Sequence, residues 1–124
     1  MAETLIAIID DDDSMRVALM RFMRSSGYRT SGYASAGAFL ASDDATVAAC
    51  IITDIHMPGL SGFELKALLD ARGVTAPVIM ITARTEANLN ERALACGAFC
   101  FLRKPFATDA LQLHLNRALA AADV

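Results

Sequence analysis

Polar side chains with complementary chemistry stand directly after four short apolar runs of the sequence. Four consecutive aspartates, Asp10 to Asp13, follow the first run, and Asp54 follows another. Thr82 comes at the end of a third run, and Lys104 comes shortly after a fourth. Acids for a cation, one central carboxylate, a hydroxyl and an ammonium group together suit a transferring phosphoryl group, whose oxygens need several positive partners or donors.

The aspartates nearest the end of the first run are candidate metal ligands. Each close pair of carboxylates costs about 1 kcal/mol in water and about 4 kcal/mol at an effective dielectric constant near 20. A hard divalent cation relieves this repulsion, and oxygen-only ligands suit Mg²⁺. A solvated turn is the alternative interpretation. We favour the turn for Asp12 and Asp13, with Asp13 or Ser14 as the N-cap of the first helix, and the metal site for Asp10 and Asp11.

Three further residues, Asp54, Thr82 and Lys104, are functional candidates only when they are considered together. A carboxylate can act as the nucleophile in phosphoryl transfer and become an aspartyl phosphate, which makes Asp54 a candidate acceptor. Thr82 alone would be a helix-cap candidate, and Lys104 alone would be a surface lysine. The functional interpretation therefore depends on the elements that bring these residues together.

The apolar runs predict buried strands, because they are short and do not alternate with polar residues. The predicted strands are Leu5–Ile9, a polar edge strand at Arg29–Tyr33, Ala48–Thr53, Pro77–Ile81 and Phe99–Leu102. Apolar residues at helical spacing lie between them. The predicted helices are Ser14–Ser26, Ser35–Ser42, Gly62–Ala71, Glu86–Cys96 and Thr108–Ala121.

Five alternating strand–helix units predict a parallel sheet with right-handed crossovers. We expect an α/β fold of the flavodoxin-like doubly wound (βα)5 type, with strand order 2-1-3-4-5. Ligands bind such sheets beyond the carboxyl ends of the strands at the point where the order reverses. That point lies between the first and third strands, next to Asp10 and Asp54.

Composition limits the function classes. The chain has 124 residues, of which 55% are hydrophobic and 20% charged, which predicts one folded domain over residues 1–124. A net charge of −3 argues against direct nucleic-acid binding. No apolar run approaches the roughly 18 residues of a membrane span. The three cysteines, and a start at Met1–Thr4 without basic residues, favour a cytoplasmic protein with reduced thiols.

Four segments, in order at the ends of the predicted strands, resemble the receiver domain of bacterial two-component response regulators. They are Ile8–Asp11, Thr53–Gly62, Ile81–Ala83 and Phe101–Phe106. The resemblance covers essentially the whole chain. Two details, Ser35–Leu40 and Lys104–Phe106, are most similar to the FixJ-type regulators.

The resemblance implies roles for the acidic residues. Asp54 would accept the phosphoryl group. The side chains of Asp11 and Asp54 and the backbone carbonyl of His56 would ligate Mg²⁺, or alternatively Mn²⁺, and Asp10 would hold a metal-bound water.

The resemblance also assigns the phosphoryl-binding and switch residues. Thr82 and Lys104 would bind phosphoryl oxygens, and the bond before Pro105 would be cis. Thr82 would move on phosphorylation, and Phe101 would rotate inward. Phe101 lacks the hydroxyl of a tyrosine, so the switch would be steric.

The expected partners are a sensor histidine kinase or a phosphotransfer protein. Phosphorylation would change the face formed by the fourth predicted helix, the fifth strand and the last helix, to control a homodimer or an output partner. Leu113 on the last helix is a candidate contact, and Val17 and Met20 on the first helix are candidates for the kinase. All three are alternatively scattered exposed apolar residues.

The resemblance implies a single receiver domain without an output domain in this chain, so we expect either a stand-alone regulator or a fragment of a longer protein. It implies transcription regulation if a DNA-binding domain follows in the full protein. Two other functions remain open. An aspartyl-phosphate phosphatase would share the chemistry, but it would usually have an acid where His56 stands, and it would need a cap over its substrate. A degenerate receiver would act only in binding, against which the complete residue set argues. We expect no enzyme beyond self-phosphorylation and self-dephosphorylation.

Overall fold

A computed structural model describes residues 4–122 of the chain. Residues 1–3, which belong to the start from which a cytoplasmic protein was predicted, and residues 123–124 at the end of the predicted domain lie outside the described residues. Within the described part, no helix is both long enough and apolar enough to cross a membrane.

Five strands form one parallel sheet with the order β2-β1-β3-β4-β5, which confirms the predicted flavodoxin-like fold. The strands are β1 (Leu5–Ile9), β2 (Arg29–Tyr33), β3 (Cys50–Asp54), β4 (Val78–Thr82) and β5 (Cys100–Arg103). The helices are α1 (Asp13–Ser25), α2 (Ala36–Leu40), α3 (Asp44–Val47), α4 (Gly62–Ala71), α5 (Leu89–Ala95) and α6 (Thr108–Ala122).

Helices cover both faces of the sheet, which explains why its central strands are continuously apolar. In β1, Ile6 and Ile8 face a core with buried residues of α1 and α6. Leu5, Ala7 and Ile9 face the opposite core, to which α2, α4 and α5 contribute. Since both sets of side chains are buried, no polar alternation appears in the sequence.

The strand register brings the carboxyl ends of the strands to one edge. Ile9 pairs with Thr53 across β1 and β3, and Asp54 pairs with Ile81 across β3 and β4. Thr82 pairs with Arg103 across β4 and β5. The residues that follow these positions must therefore share that edge, as the sequence predicted.

One helix was not foreseen. The sequence predicts a single helix over Ser35–Ser42, but α2 is followed by the four-residue helix α3. Such a short helix produces no readable periodicity. It is held by tertiary contacts, since the Tyr33 hydroxyl donates to Asp44 Oδ2 at 2.5 Å and Ala45 is buried.

Two details at α1 correct the sequence interpretation. Asp12, rather than Asp13 or Ser14, is the N-cap, and its carboxylate accepts from the backbone N–H groups of Ser14 and Met15. Met20 does not point away from the core. It is half-buried and packs against the core of the α1 and α6 face.

The start of α5 differs from the predicted start. The helix begins at Leu89 rather than Glu86, because Asn88 before it adopts a left-handed backbone with φ of 73°. Asparagine tolerates this conformation better than most residues. The other predicted boundaries agree with the structure to within two residues.

Candidate functional site

Three carboxylates converge where β1 and β3 end. Asp10, Asp11 and Asp54 each offer an oxygen, and these atoms all lie within 4.8 Å of one another. Asp10 is fully buried, Asp54 is 7% exposed, and Asp11 is exposed. A set of oxygen ligands with one open side fits a hard divalent cation such as Mg²⁺. The fit of the donors thus agrees with the metal site that the sequence predicts.

Asp10 is held from every side. Its Oδ2 accepts from Lys104 Nζ at 2.9 Å, and its Oδ1 accepts from the backbone N–H of Asp12 at 3.0 Å. Its own N–H donates to the carbonyl of Tyr33 at 3.0 Å, and its carbonyl accepts from Arg16 Nη1 at 2.8 Å. The buried charge is therefore paired and hydrogen-bonded, as burial requires.

The carboxylate of Asp54 is held less closely than that of Asp10. Its Oδ1 accepts from the backbone N–H of His56 at 3.3 Å, and its Oδ2 lies 3.7 Å from Lys104 Nζ. Burial raises its pKa from 3.8 to about 6; Lys104 lowers this pKa, and Asp10 raises it. The carboxylate keeps unused lone pairs, which is what a nucleophile needs.

The loop after β3 fixes the end of that strand against α4. The N–H of Gly62 donates to the carbonyl of Ile55 at 2.9 Å. A Cβ at position 62 would lie 2.7 Å from the carbonyl oxygen of Asp54, so only glycine fits here. Ser61 and Glu64 form a reciprocal capping box that starts α4 at this point.

Thr82 lies beside the acids at the end of β4 and is fully buried. Its Oγ1 is 3.0 Å from His56 Nδ1 and accepts from the backbone N–H of Arg84 at 3.1 Å. Burial and the nearby Arg84 lower the pKa of His56, and Glu86 acts in the opposite direction. The other ring nitrogen of His56 faces Glu86 Oε1 at 3.8 Å.

The residues after and within β5 complete the site and its surroundings. The Lys104–Pro105 peptide bond is cis, and the Lys104 side chain is 11% exposed. Phe101 pairs with Met80 of β4 and is partly buried against the core of the α4 and α5 face. The Arg103 guanidinium lies 5.7 Å from the centre of the Phe101 ring.

A groove of about 470 Å³ opens beside the acid cluster. It is lined by Asp11, Ile55, His56, Met57, Pro58, Ser61 and Arg84. The groove leaves the exposed side of the acid cluster open to solvent.

The structure brings together Asp10, Asp11, Asp54, Thr82 and Lys104, the set that the sequence selected. Phe101 stands apart from them within β5. Sequence reasoning missed Arg16, whose Nη2 also lies 2.5 Å from Asp13 Oδ1. The helical spacing of Asp13 and Arg16 was a signal for that ion pair, whereas the contact with the Asp10 carbonyl left no trace in the sequence.

Comparison with known sequences gives a family match. The sequence profile of the response regulator receiver domain matches residues 6–116. The transcriptional regulatory protein FixJ of Azorhizobium caulinodans is 42% identical over 107 residues, which cover 86% of this chain and 51% of that protein. FixJ of Bradyrhizobium diazoefficiens is 33% identical over 118 residues, 95% of this chain and 58% of that protein. The chain thus spans a little over half the length of these curated relatives.

Solved structures agree with the sequence matches. A crystal structure of FixJ-N superimposes with a TM-score of 0.86 at 30% identity, covering 97% of this chain and 96% of that one. A structure of the response regulator StyR gives a TM-score of 0.90 at 33% identity, covering 98% of this chain and 62% of that one. The resemblance that the motifs suggested, including that to FixJ, is confirmed.

Proposed function

Because this chain belongs to the response regulator receiver domain family, we propose that it is a phosphorylation-controlled switch of a two-component system. Receiver domains are signalling domains rather than classical enzymes, and they interact with histidine kinases or phosphotransfer proteins. In this proposal the chain receives its phosphoryl group from such a partner in the cytoplasm and changes its surface in response.

The observation that carries the proposal is the pairing of an acid cluster with one lysine. Three carboxylate oxygens lie within 4.8 Å of one another, and Lys104 Nζ lies 2.9 Å from Asp10 and 3.7 Å from Asp54. Ligands for a cation, an under-coordinated carboxylate and an ammonium group thus share one small volume. Phosphoryl transfer depends chiefly on such positioning and charge stabilisation.

The proposed reaction is an in-line transfer to Asp54. A carboxylate oxygen of Asp54 attacks the phosphorus of a phosphohistidine, an O–P bond forms, and the P–N bond breaks. The electron pair of that bond stays with the donor imidazole, which takes up a proton. Since the pKa of Asp54 is raised to about 6, most of this carboxyl is ionised at neutral pH and able to attack.

The residues assigned to the cation are those the resemblance implied. Asp11 and Asp54 would hold Mg²⁺, or Mn²⁺, through their carboxylates, His56 through its backbone carbonyl, and Asp10 through a water. The cation would supply charge neutralisation at the phosphoryl oxygens. Lys104 would bind one of those oxygens. Its ammonium group would need to move only a short distance, since it already lies between the carboxylates of Asp10 and Asp54.

The proposed output begins at Thr82 and ends at the surface of α5, β5 and α6. Movement of the Thr82 side chain toward the phosphoryl group would allow Phe101, which is partly buried, to rotate inward. Leu94 on α5 and Leu113 on α6 are 53% and 47% exposed. We propose that this face changes its affinity for a second copy of the chain or for an output partner.

Transcription regulation is the proposed consequence where the receiver acts together with a DNA-binding domain. FixJ, which is similar to this chain, is named a transcriptional regulatory protein. If the full protein has a DNA-binding domain, that domain would respond to the state of the receiver. The receiver itself, with its net charge of −3, would make no direct contact with nucleic acid.

Phosphoryl labelling tests the acceptor. Incubation with acetyl phosphate and Mg²⁺ should add the mass of one phosphoryl group to the wild-type protein and none to Asp54→Asn. Asp43→Asn, which neutralises an aspartate outside the acid cluster, should label like the wild type. A fully labelled Asp54→Asn protein would reject the assignment, and steady turnover of foreign phosphoesters would favour the phosphatase alternative.

Sedimentation tests the output surface. Treatment with beryllofluoride and Mg²⁺ should raise the weight-average mass of the wild-type protein. Leu113→Asp should reduce that rise, because it places a charge on the exposed apolar part of α6. If the treated wild-type protein stays monomeric at every concentration, self-association is not its output.

A further inference from the structure

Thr82 is a residue on which the structure and the proposed function make competing demands. Its buried hydroxyl lies 3.0 Å from His56 Nδ1 and accepts from the N–H of Arg84 at 3.1 Å. A threonine hydroxyl has one proton and two lone pairs. Because a phosphoryl oxygen only accepts hydrogen bonds, Thr82 must donate that single proton to bind it.

The surroundings of the imidazole assign the direction of the bond between His56 and Thr82. His56 Nε2 faces Glu86 Oε1 at 3.8 Å, and this oxygen also accepts from Arg84 Nη1 at 3.2 Å. The carboxylate is the acceptor nearest to that ring nitrogen, which favours the ring proton on Nε2. In a neutral imidazole the other nitrogen then carries a lone pair. With that tautomer the Thr82 hydroxyl donates its proton to His56 Nδ1, and a phosphoryl oxygen would need the same proton.

We propose that His56 is a positioning residue that holds the Thr82 hydroxyl in a resting orientation and competes with the phosphoryl group for its proton. Phosphorylation would transfer the hydrogen bond of Thr82 from the imidazole to a phosphoryl oxygen. The side chain of His56 is 25% exposed, so the released ring can turn toward water. The inference rests on the proposed function, since it requires a phosphoryl group on Asp54.

Binding of beryllofluoride, a phosphoryl mimic, measures this competition in the presence of Mg²⁺. His56→Phe keeps a ring and the backbone carbonyl but removes the acceptor nitrogen. Loss of one competing hydrogen bond should tighten beryllofluoride binding by about fivefold. His114→Phe makes the same exchange on α6, away from the site, and should bind like the wild type. The affinity of each variant for Mg²⁺ alone is measured separately. The apparent beryllofluoride affinity is then corrected for any difference in Mg²⁺ occupancy.

A double-mutant cycle shows whether His56 acts through Thr82. In a Thr82→Val background there is no hydroxyl, so His56→Phe should change beryllofluoride affinity by less than twofold. In a Thr82→Ser background, which restores the hydroxyl, the gain should return. An equal gain in all three backgrounds, or no gain with Thr82 present, would overturn the proposal, because His56 would then act on the phosphoryl group directly or not at all.

Nitrogen chemical shifts of His56 separate this inference from the proposed function. In the metal-free protein, Thr82→Val should move the Nδ1 resonance of His56 toward that of an imidazole nitrogen without a donor. An unchanged resonance would overturn the inference even if the wild-type protein binds beryllofluoride. Failure of the folded wild-type protein to bind beryllofluoride would overturn the proposed function, and this inference with it.

Discussion

The two buried aspartates of the site are held very differently. The two carboxylate oxygens of Asp10 accept from Lys104 Nζ at 2.9 Å and from the backbone N–H of Asp12 at 3.0 Å. The two carboxylate oxygens of Asp54 have longer contacts, with the backbone N–H of His56 at 3.3 Å and with Lys104 Nζ at 3.7 Å. The Asp10 carboxylate is therefore fixed in place by its present contacts, whereas the Asp54 carboxylate can still accept further bonds.

The largest expected effect comes from breaking the Asp10 side. Lys104→Met would leave the fully buried Asp10 carboxylate without its cation, and loss of one member of a buried ion pair costs about 3 kcal/mol. Urea denaturation in metal-free buffer measures the free energy of unfolding. Lys66→Met is a matched control, because Lys66 pairs with the half-exposed Asp70; it should cost less than 1 kcal/mol. Equal losses in the two variants would contradict the comparison.

A cation would connect the two sides, and its removal gives the next effect. A ligand at 100 times its dissociation constant stabilises the folded protein by about 2.7 kcal/mol. Mg²⁺ should therefore raise the melting temperature of the wild-type protein, and Asp11→Asn should abolish that rise. Asp43→Asn, a neutralisation outside the acid cluster, should retain it. A full rise in Asp11→Asn would place the cation elsewhere.

The pH dependence of stability tests the Asp54 side. Burial raises the pKa of Asp54 from 3.8 to about 6, so the folded protein binds the proton more tightly than the unfolded chain. The resulting stabilisation is present below pH 4 and is lost as the pH rises toward 6. At about 1.4 kcal/mol per pKa unit, and allowing for some hydration, the loss is about 2 kcal/mol.

Asp54→Asn isolates this contribution. The difference in unfolding free energy between wild type and variant, measured without metal, should fall by that amount between pH 4 and pH 7. Asp70→Asn, which changes an exposed acid, should show no comparable trend. A difference that stays flat with pH would mean that Asp54 is better solvated or better paired than its contacts indicate.

The sequence predicted the fold and the site residues from different signals. Apolar runs located the strands, because a buried parallel strand has no polar alternation, and the polar residues after them marked the edge. The contact between His56 and Thr82 was not predicted. These residues are 26 positions apart, and neither a histidine nor a threonine requires the other as its hydrogen-bond partner. The same holds for Lys104 and Asp10, 94 positions apart. Such pairings depend on loop paths that local patterns do not encode.

The close approach of Gly62 to the end of β3 has a consequence for inheritance. Every missense change at a glycine codon adds at least a Cβ, and here that atom would meet the backbone of Asp54 and Ile55 at 2.7 and 3.0 Å. These are backbone atoms, which cannot relieve the clash by changing rotamer as a flexible side chain could. A substitution at this position must therefore displace α4 from the end of β3. A genetic screen for signalling-defective alleles should recover substitutions of Gly62, an uncharged residue, as well as substitutions of the clustered aspartates and Lys104.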